Sequence, residues 1–263
     1  MTLTALILYG WLIVAGMMLL LWLLQTRTND AGVVDVGWAA GLGILAVFFA
    51  LAADGWGPRR VLLAALAGVW SFRLAGYLLV NRVLGKPEDG RYQTLRRDWA
   101  GRVQTFFFFF FQAQALLDVV LALPFAIIVV NRNPAFSPWE YAGIAVWLIA
   151  VAGESLADAQ LARFRADPAN QGKTCRVGLW RYSRHPNYFF EWLHWWTYVL
   201  MATGVSLGWL ALVSPLLILF LILKVTGIPP TEAQALRSRG DDYRAYQRTT
   251  SAFFPWFPRK DAA

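Results

Sequence analysis

Gly178-Leu-Trp-Arg-Tyr-Ser-Arg-His-Pro-Asn-Tyr-Phe-Phe-Glu191 places Arg181, Tyr182, Ser183, Arg184, His185, Asn187 and Glu191 close together, with apolar segments on either side. Pro186 suits the first position of a helix, where its missing N–H would have no partner. A helix starting there turns its free N–H groups back toward Ser183, Arg184 and His185. With arginines beside them, these groups make a ready phosphate site. Asn187 and Glu191 are four residues apart and share one face of that helix. A positively charged membrane-surface loop would account for the arginines, but not for the histidine, asparagine and glutamate that follow.

Composition sets the surroundings. The chain is 58% hydrophobic and 16% aromatic, with a mean hydropathy of +0.45. These values exclude a water-soluble domain of this length. Several apolar runs approach the roughly 20 residues that cross a bilayer as helix. The net charge of +8 therefore needs no nucleic acid to explain it. Cys175 is the lone cysteine, which excludes an internal disulfide and a cysteine-based metal cluster, and His185 and His194 are too few for a zinc or haem site. The first segment is too long and too apolar, without a cleavage site, to be a signal peptide.

The hydropathy pattern predicts an all-α integral membrane protein, a bundle of seven transmembrane helices with cytoplasmic loops and a C-terminal cytoplasmic helix. The spans are 3–24, 33–53, 61–80, 106–130 with a kink at Pro124, 139–163, about 187–203 and about 207–225. Gln25 to Asp30 reads as a turn and 81–104 as a polar loop. The run Phe106 to Phe111 reads as bulk facing lipid and neighbouring helices. Ile228-Pro-Pro230 ends the last span, and Thr231 with Gln234 has capping-box spacing for a polar helix after it. Gly240 ends that helix and Asp241 to Arg248 begins another. With seven spans, 20 of the 24 Lys and Arg residues fall on one side. That side is then the cytoplasm, the N-terminus lies outside and the C-terminus inside. One membrane domain covers 1–263, with 1–130 as the substrate-side spans and 131–263 as the half that binds cofactor.

Three further constellations carry polar chemistry. Arg73, Tyr77 and Asn81 recur every four residues and form a stripe on the third span; an arginine there needs a partner or a wet cavity. Glu154, Asp158 and Arg165 form a second stripe near whole helical turns. Asp35 and Trp38 share a face of the second span. Asp35 is either a structural partner, of Arg73 for example, or a neutral acid. Tyr243 and Tyr246 sit among Arg239, Arg244 and Arg248 in the tail. No Gly-x-Gly-x-x-Gly follows a strand, so there is no Rossmann domain, and a large anionic cofactor would have to be held by the bundle itself.

The 178–191 stretch resembles the signature of the steroid 5α-reductase superfamily. Gly227-Ile-Pro, Glu232, Tyr243-Arg-Ala-Tyr246, Thr249 and Phe254-Pro255 resemble its C-terminal half. The chain is most similar to a bacterial membrane branch, the domain-of-unknown-function family 1295, through Asp35, Trp38 and Gly90-Arg91-Tyr92. The resemblance covers nearly the whole length. It implies a seven-span protein of the bacterial inner membrane that takes NADPH from the cytoplasm. The implied reaction is hydride transfer to an activated C=C bond of a lipophilic steroid, sterol, isoprenoid or lipid-like enone. The resemblance assigns the cofactor to Arg73, Tyr77, Asn81, Asp158, Arg165, Tyr182, Arg184, His185, Asn187, Glu191, Tyr243 and Tyr246, with no metal. Asp35 stands where the family's substrate-polarising acid lies, and Trp70 where its tyrosine lies, so these two are the expected catalytic residues. The signature core is shared in part with isoprenylcysteine and phospholipid methyltransferases. Methyl transfer from S-adenosylmethionine is therefore the alternative, and a non-enzymatic lipid-binding scaffold a third reading.

Overall fold

The computed structural model describes residues 1–259. Among the described residues every regular element is helical and there is no strand. Ten α-helices follow one another: α1 (Leu3–Thr28), α2 (Val33–Ala52), α3 (Gly57–Leu78), α4 (Gly90–Asp98), α5 (Val103–Leu121), α6 (Leu123–Val129), α7 (Pro138–Ala166), α8 (Pro186–Met201), α9 (Val213–Phe220) and α10 (Ile228–Thr249). Single π-helical turns extend α3 over Leu79–Val83 and α9 over Leu221–Val225.

Among the described residues, six helical segments are long and apolar enough to cross a membrane. On α1, the buried residues Leu6, Gly10, Val14 and Met18 make a narrow stripe. Its other faces are just as apolar yet exposed, as at Leu8, Leu12 and Leu20. A helix that is hydrophobic all round while only one stripe meets protein belongs in lipid. The expected sixth span is α8, which has 16 residues. At about 1.5 Å per residue it reaches roughly 24 Å, short of the roughly 30 Å hydrocarbon core.

The chain divides into two compact units, Met1–Phe136 with Ala202–Ser214, and Ser137–Met201 with Pro215–Ala263. In the first unit α2 packs along α3, and α1 along α5. Gly41 and Gly43 allow close approach: a Cβ on Gly41 would lie 2.2 Å from an Asp118 carboxylate oxygen, and one on Gly43 would lie 3.0 Å from the Ser71 Cβ. Arg59 is buried and donates to the carbonyls of Asn131, Asn133 and Ala135, fixing the chain after α6. In the second unit α7 begins at a capping box of Ser137 and Glu140 and packs along α8.

Several sequence expectations change. Gln25 to Asp30 is not a turn throughout: α1 continues to Thr28 because buried Gln25 exchanges hydrogen bonds with Gln104 and Arg96. The polar stretch 81–104 contains α4, started by the Asp89 carboxylate accepting from the Arg91 N–H. The span from 106 is broken, not only kinked, before Pro124, and Ser214 Oγ donates to the Leu121 carbonyl at the break. Pro229 and Pro230 open α10 instead of ending the preceding span, so Thr231 is no cap; its hydroxyl meets that of Tyr188. Gly240 turns α10 as expected, with φ 52°. The phenylalanine run divides as expected, with Phe107 and Phe111 buried and Phe106 and Phe109 exposed.

Candidate functional site

Two clusters of polar side chains stand out, one in each unit. In the first unit, Asp35 lies in the first turn of α2 and meets α4. One Asp35 oxygen accepts from the Tyr92 hydroxyl at 2.6 Å, the other from Arg91 Nη2 at 2.9 Å. The Asp35 partner is therefore Arg91, not Arg73. Arg91 Nε and Nη2 also donate to Asp89, at 3.0 and 3.2 Å. Its Nη1 makes no hydrogen bond among the described residues, so two donors of the guanidinium remain uncommitted. Burial of Tyr92 pushes its phenol well above the ordinary value, and the negative charge of Asp35 adds to this. Tyr92 therefore stays protonated and serves Asp35 as a donor. Burial works to raise Asp89, but hydrogen bonds from Arg91 outweigh it and hold the carboxyl below the usual range.

Trp70 is fully buried in the core of this unit. Arg73 and Tyr77 lie on α3, whereas Asn81 falls on the π turn, where its amide donates to the Tyr77 carbonyl at 2.9 Å. The widened turn thus interrupts the regular four-residue stripe.

In the second unit, helix α8 does begin at Pro186. The segment before it is clasped by the tail. Glu232 on α10 accepts from Arg184 Nε at 2.7 Å and from Tyr243 at 3.3 Å on one oxygen, and from Gln247 at 2.7 Å on the other. His185 Nε2 lies 3.2 Å from the first of these oxygens. Arg184 Nη1 reaches the carbonyls of Gln247 and Thr250. The Tyr246 hydroxyl donates to the carbonyls of Trp180 and Ser183, Ser183 Oγ to that of Phe253, and the Trp256 N–H to that of Tyr182. Burial pushes the His185 imidazole below its ordinary value, against the opposing pull of Glu232. Of the residues expected to hold cofactor, Arg184, His185 and Tyr243 thus converge on Glu232, and Arg184 and Tyr246 bind backbone carbonyls. Glu232, Gln247, Arg91 and Tyr92 are not among the site residues expected from sequence. The Gly90-Arg91-Tyr92 triplet and the tail glutamate were the available signals.

The α7 stripe meets α8 where Asn187 Nδ2 donates to Asp158 at 3.3 Å. Glu154 is buried on the same helix, and Arg165 lies in its exposed last turn. Beside Arg184, a cavity of about 440 Å³ is bordered by Arg248, Arg259, Trp256 and Phe257. No group of three or more metal-ligating side chains occurs among the described residues.

The model of the family DUF1295, a protein family of unknown function, matches residues 21–250. The chain belongs to the DUF1295 family. It is also similar to the uncharacterized protein C594.04c of Schizosaccharomyces pombe, at 25% identity over 267 residues, covering 89% of this chain and 75% of that protein. No solved structure matches the chain. The family match includes both clusters, from Asp35 to Gln247.

Proposed function

We propose that this DUF1295 protein is an NADPH-dependent membrane reductase of steroid 5α-reductase type, acting on the activated C=C bond of a lipophilic, enone-like substrate. The observation that carries the reading is Arg91. The carboxylates of Asp35 and Asp89 hold it through Nε and Nη2, and Nη1 is left with two free donors. When bound, NADPH would supply a hydride to the β carbon of such a substrate and leave as NADP⁺, with a proton from water completing the reduction at the α carbon. Negative charge then builds on the conjugated oxygen, and a preorganised donor aimed there is worth roughly 3 kcal/mol. Arg91 Nη1 is that donor. Asp35 orients it and accepts a hydrogen bond from the Tyr92 hydroxyl, so Asp35 acts as a positioning residue and not as the neutral acid that its place in the sequence suggests. Trp70, fully buried on α3, is read as packing in the core and not as a donor to the substrate.

In the second unit the nucleotide is read as bound by Asp158, Asn187 and Arg165, together with Tyr182 and Glu191, which the resemblance assigns, and with the Glu232 clasp as the frame. The polar partners of this set suit a ligand carrying phosphates and amides. The finer topology belongs to the same reading: α8 completes a seventh span, and the Lys/Arg-rich loops face the cytoplasm.

The test is the ligand retained on mild detergent purification, identified by mass spectrometry, followed by NADPH oxidation with a panel of enones. Nicotinamide nucleotide with enone-dependent turnover supports the proposal. Binding of S-adenosylmethionine at micromolar levels without NADPH binding replaces it with a methyltransferase. No nucleotide binding of either kind leaves a lipid-binding scaffold.

A further inference from the structure

The tail after α10 carries large aromatic side chains that the protein leaves largely uncovered. Trp256 is 71% exposed and Phe257 76%, and Phe254 beside them is also exposed. The segment that holds them is pinned by its backbone. The Trp256 N–H donates to the Tyr182 carbonyl at 2.9 Å, the Arg184 N–H to that of Ser251 at 2.8 Å, and the Arg259 N–H to that of Thr249 at 2.8 Å. Pro255 and Pro258 restrict the chain between these bonds. Phe257 meets the Tyr182 ring edge-on at 6.0 Å, and Phe254 meets the Trp192 ring at 5.7 Å. Apolar rings held outward in a fixed position mark an interaction surface.

Two apolar segments set the place of this surface. Helix α8 begins at Pro186, directly after the residues that pin the tail, and the apolar run through Val225 ends where polar α10 starts. The Arg184–Glu232 pair, at 2.7 Å, and the Tyr188 and Thr231 hydroxyls, at 3.2 Å, join those two ends. The tail therefore lies where apolar segments give way to polar chain, the level at which tryptophan and arginine settle in a bilayer.

The cavity of about 440 Å³ beside these rings is bordered by Arg184, Arg248 and Arg259 and, among the described residues, by no carboxylate. Arg184 commits Nε and Nη1 to Glu232 and to the Gln247 and Thr250 carbonyls, and its Nη2 makes no hydrogen bond among the described residues. The Arg259 guanidinium and the Ser251 hydroxyl, at the same cavity, make none there either. Arginine donors around one cavity suit the oxygens of a phosphate. With no carboxylate on its border, the cavity offers nothing to a choline or ethanolamine cation.

We propose that this cavity holds the phosphate of an anionic phospholipid, while Trp256 and Phe257 lie at the boundary of headgroups and acyl chains. Exposed rings and cations at one edge of a membrane protein gain from both parts of such a lipid. The site stands apart from the reductase reading and needs no nucleotide.

The experiment uses the full chain in mild detergent, with phosphatidylglycerol and phosphatidylcholine of the same acyl chains. Native mass spectrometry reads the lipid retained, and thermal unfolding reads its affinity. The parent should hold phosphatidylglycerol at least about tenfold more tightly than phosphatidylcholine. Arg248→Gln and Arg259→Gln should each weaken phosphatidylglycerol by about fivefold, the share of one cation near a lipid surface. Arg259→Lys should keep most of the affinity, and Trp256→Ala with Phe257→Ala should weaken both lipids. Parent-like melting of the variants without lipid shows that they fold. Equal binding of the two lipids by the parent, or undiminished phosphatidylglycerol affinity in both Gln variants, overturns the proposal. Inorganic phosphate or NADPH that displaces phosphatidylglycerol at concentrations no higher than the lipid's own makes the cavity a site for a soluble anion and overturns it as well.

Discussion

Glu232→Ala is expected to loosen the tail from the 178–191 segment. The Glu232 side chain is 14% exposed and its Arg184 partner 11%. One carboxylate thus offsets a nearly buried guanidinium and also accepts from Tyr243 and Gln247. Removing one partner of a buried pair costs about 3–5 kcal/mol, because the other is left without a counter-charge. Arg184 keeps the Gln247 and Thr250 carbonyls, at 3.1 and 2.6 Å, so the lower end applies, about 3 kcal/mol. At roughly 2–4 °C per kcal/mol for a chain of this size, melting should fall by about 6–12 °C. Thermal unfolding in mild detergent, followed by tryptophan fluorescence, measures this. A cycle with Arg184→Met isolates the pair: the double variant should lose less than the sum of the single losses, by about 1–3 kcal/mol. Melting of Glu232→Ala within about 2 °C of the parent, or strict additivity in the cycle, would refute the clasp.

Three other outcomes follow from particular contacts. Arg91→Lys keeps the charge but cannot bridge Asp35 and Asp89 as a fork. Enone-dependent NADPH oxidation should drop by about 10²–10³ with little change in nucleotide affinity, and parent-like turnover would remove Arg91 from the mechanism. Buried His185 titrates below its ordinary 6.5, so its contribution to stability is complete above that pH and is lost on acidification below it, as the unfolded chain takes up the proton first. Melting curves from pH 7 to pH 5 should show this loss in the parent, and its persistence in His185→Gln would assign the loss to another group. Gly55→Ala should cost about 1–3 kcal/mol or more, since its Cβ would lie 2.0 Å from the Val129 carbonyl oxygen. Gly16→Ala, with open space around it, should be neutral or stabilising by up to about 1 kcal/mol; equal effects of the two glycine substitutions in melting would contradict the packing described.

The sequence by itself determined the class of the fold, because the length and polarity of a segment decide whether it can lie in lipid. It likewise placed the start of α8 at Pro186 and the turn in α10 at Gly240, since proline and glycine act on their own backbone. The stripe of Asp158 and Arg165 was legible because helical periodicity is a short-range property. Tertiary structure alone decided the partners. Asp35 meets Arg91 across 56 residues, and Arg184 meets Glu232 across 48. It also decided that Gln25 continues a helix, that α5 breaks before α6 and that a polar stretch folds as α4. The physical reason lies in the solvent. In a bilayer, lipid tails and protein interior are equally apolar, so hydrophobic pattern says that a helix spans but not which face meets which neighbour. Small residues such as Gly41 and pairings such as that of Asp35 with Tyr92 set that choice, and they act only once distant helices have packed.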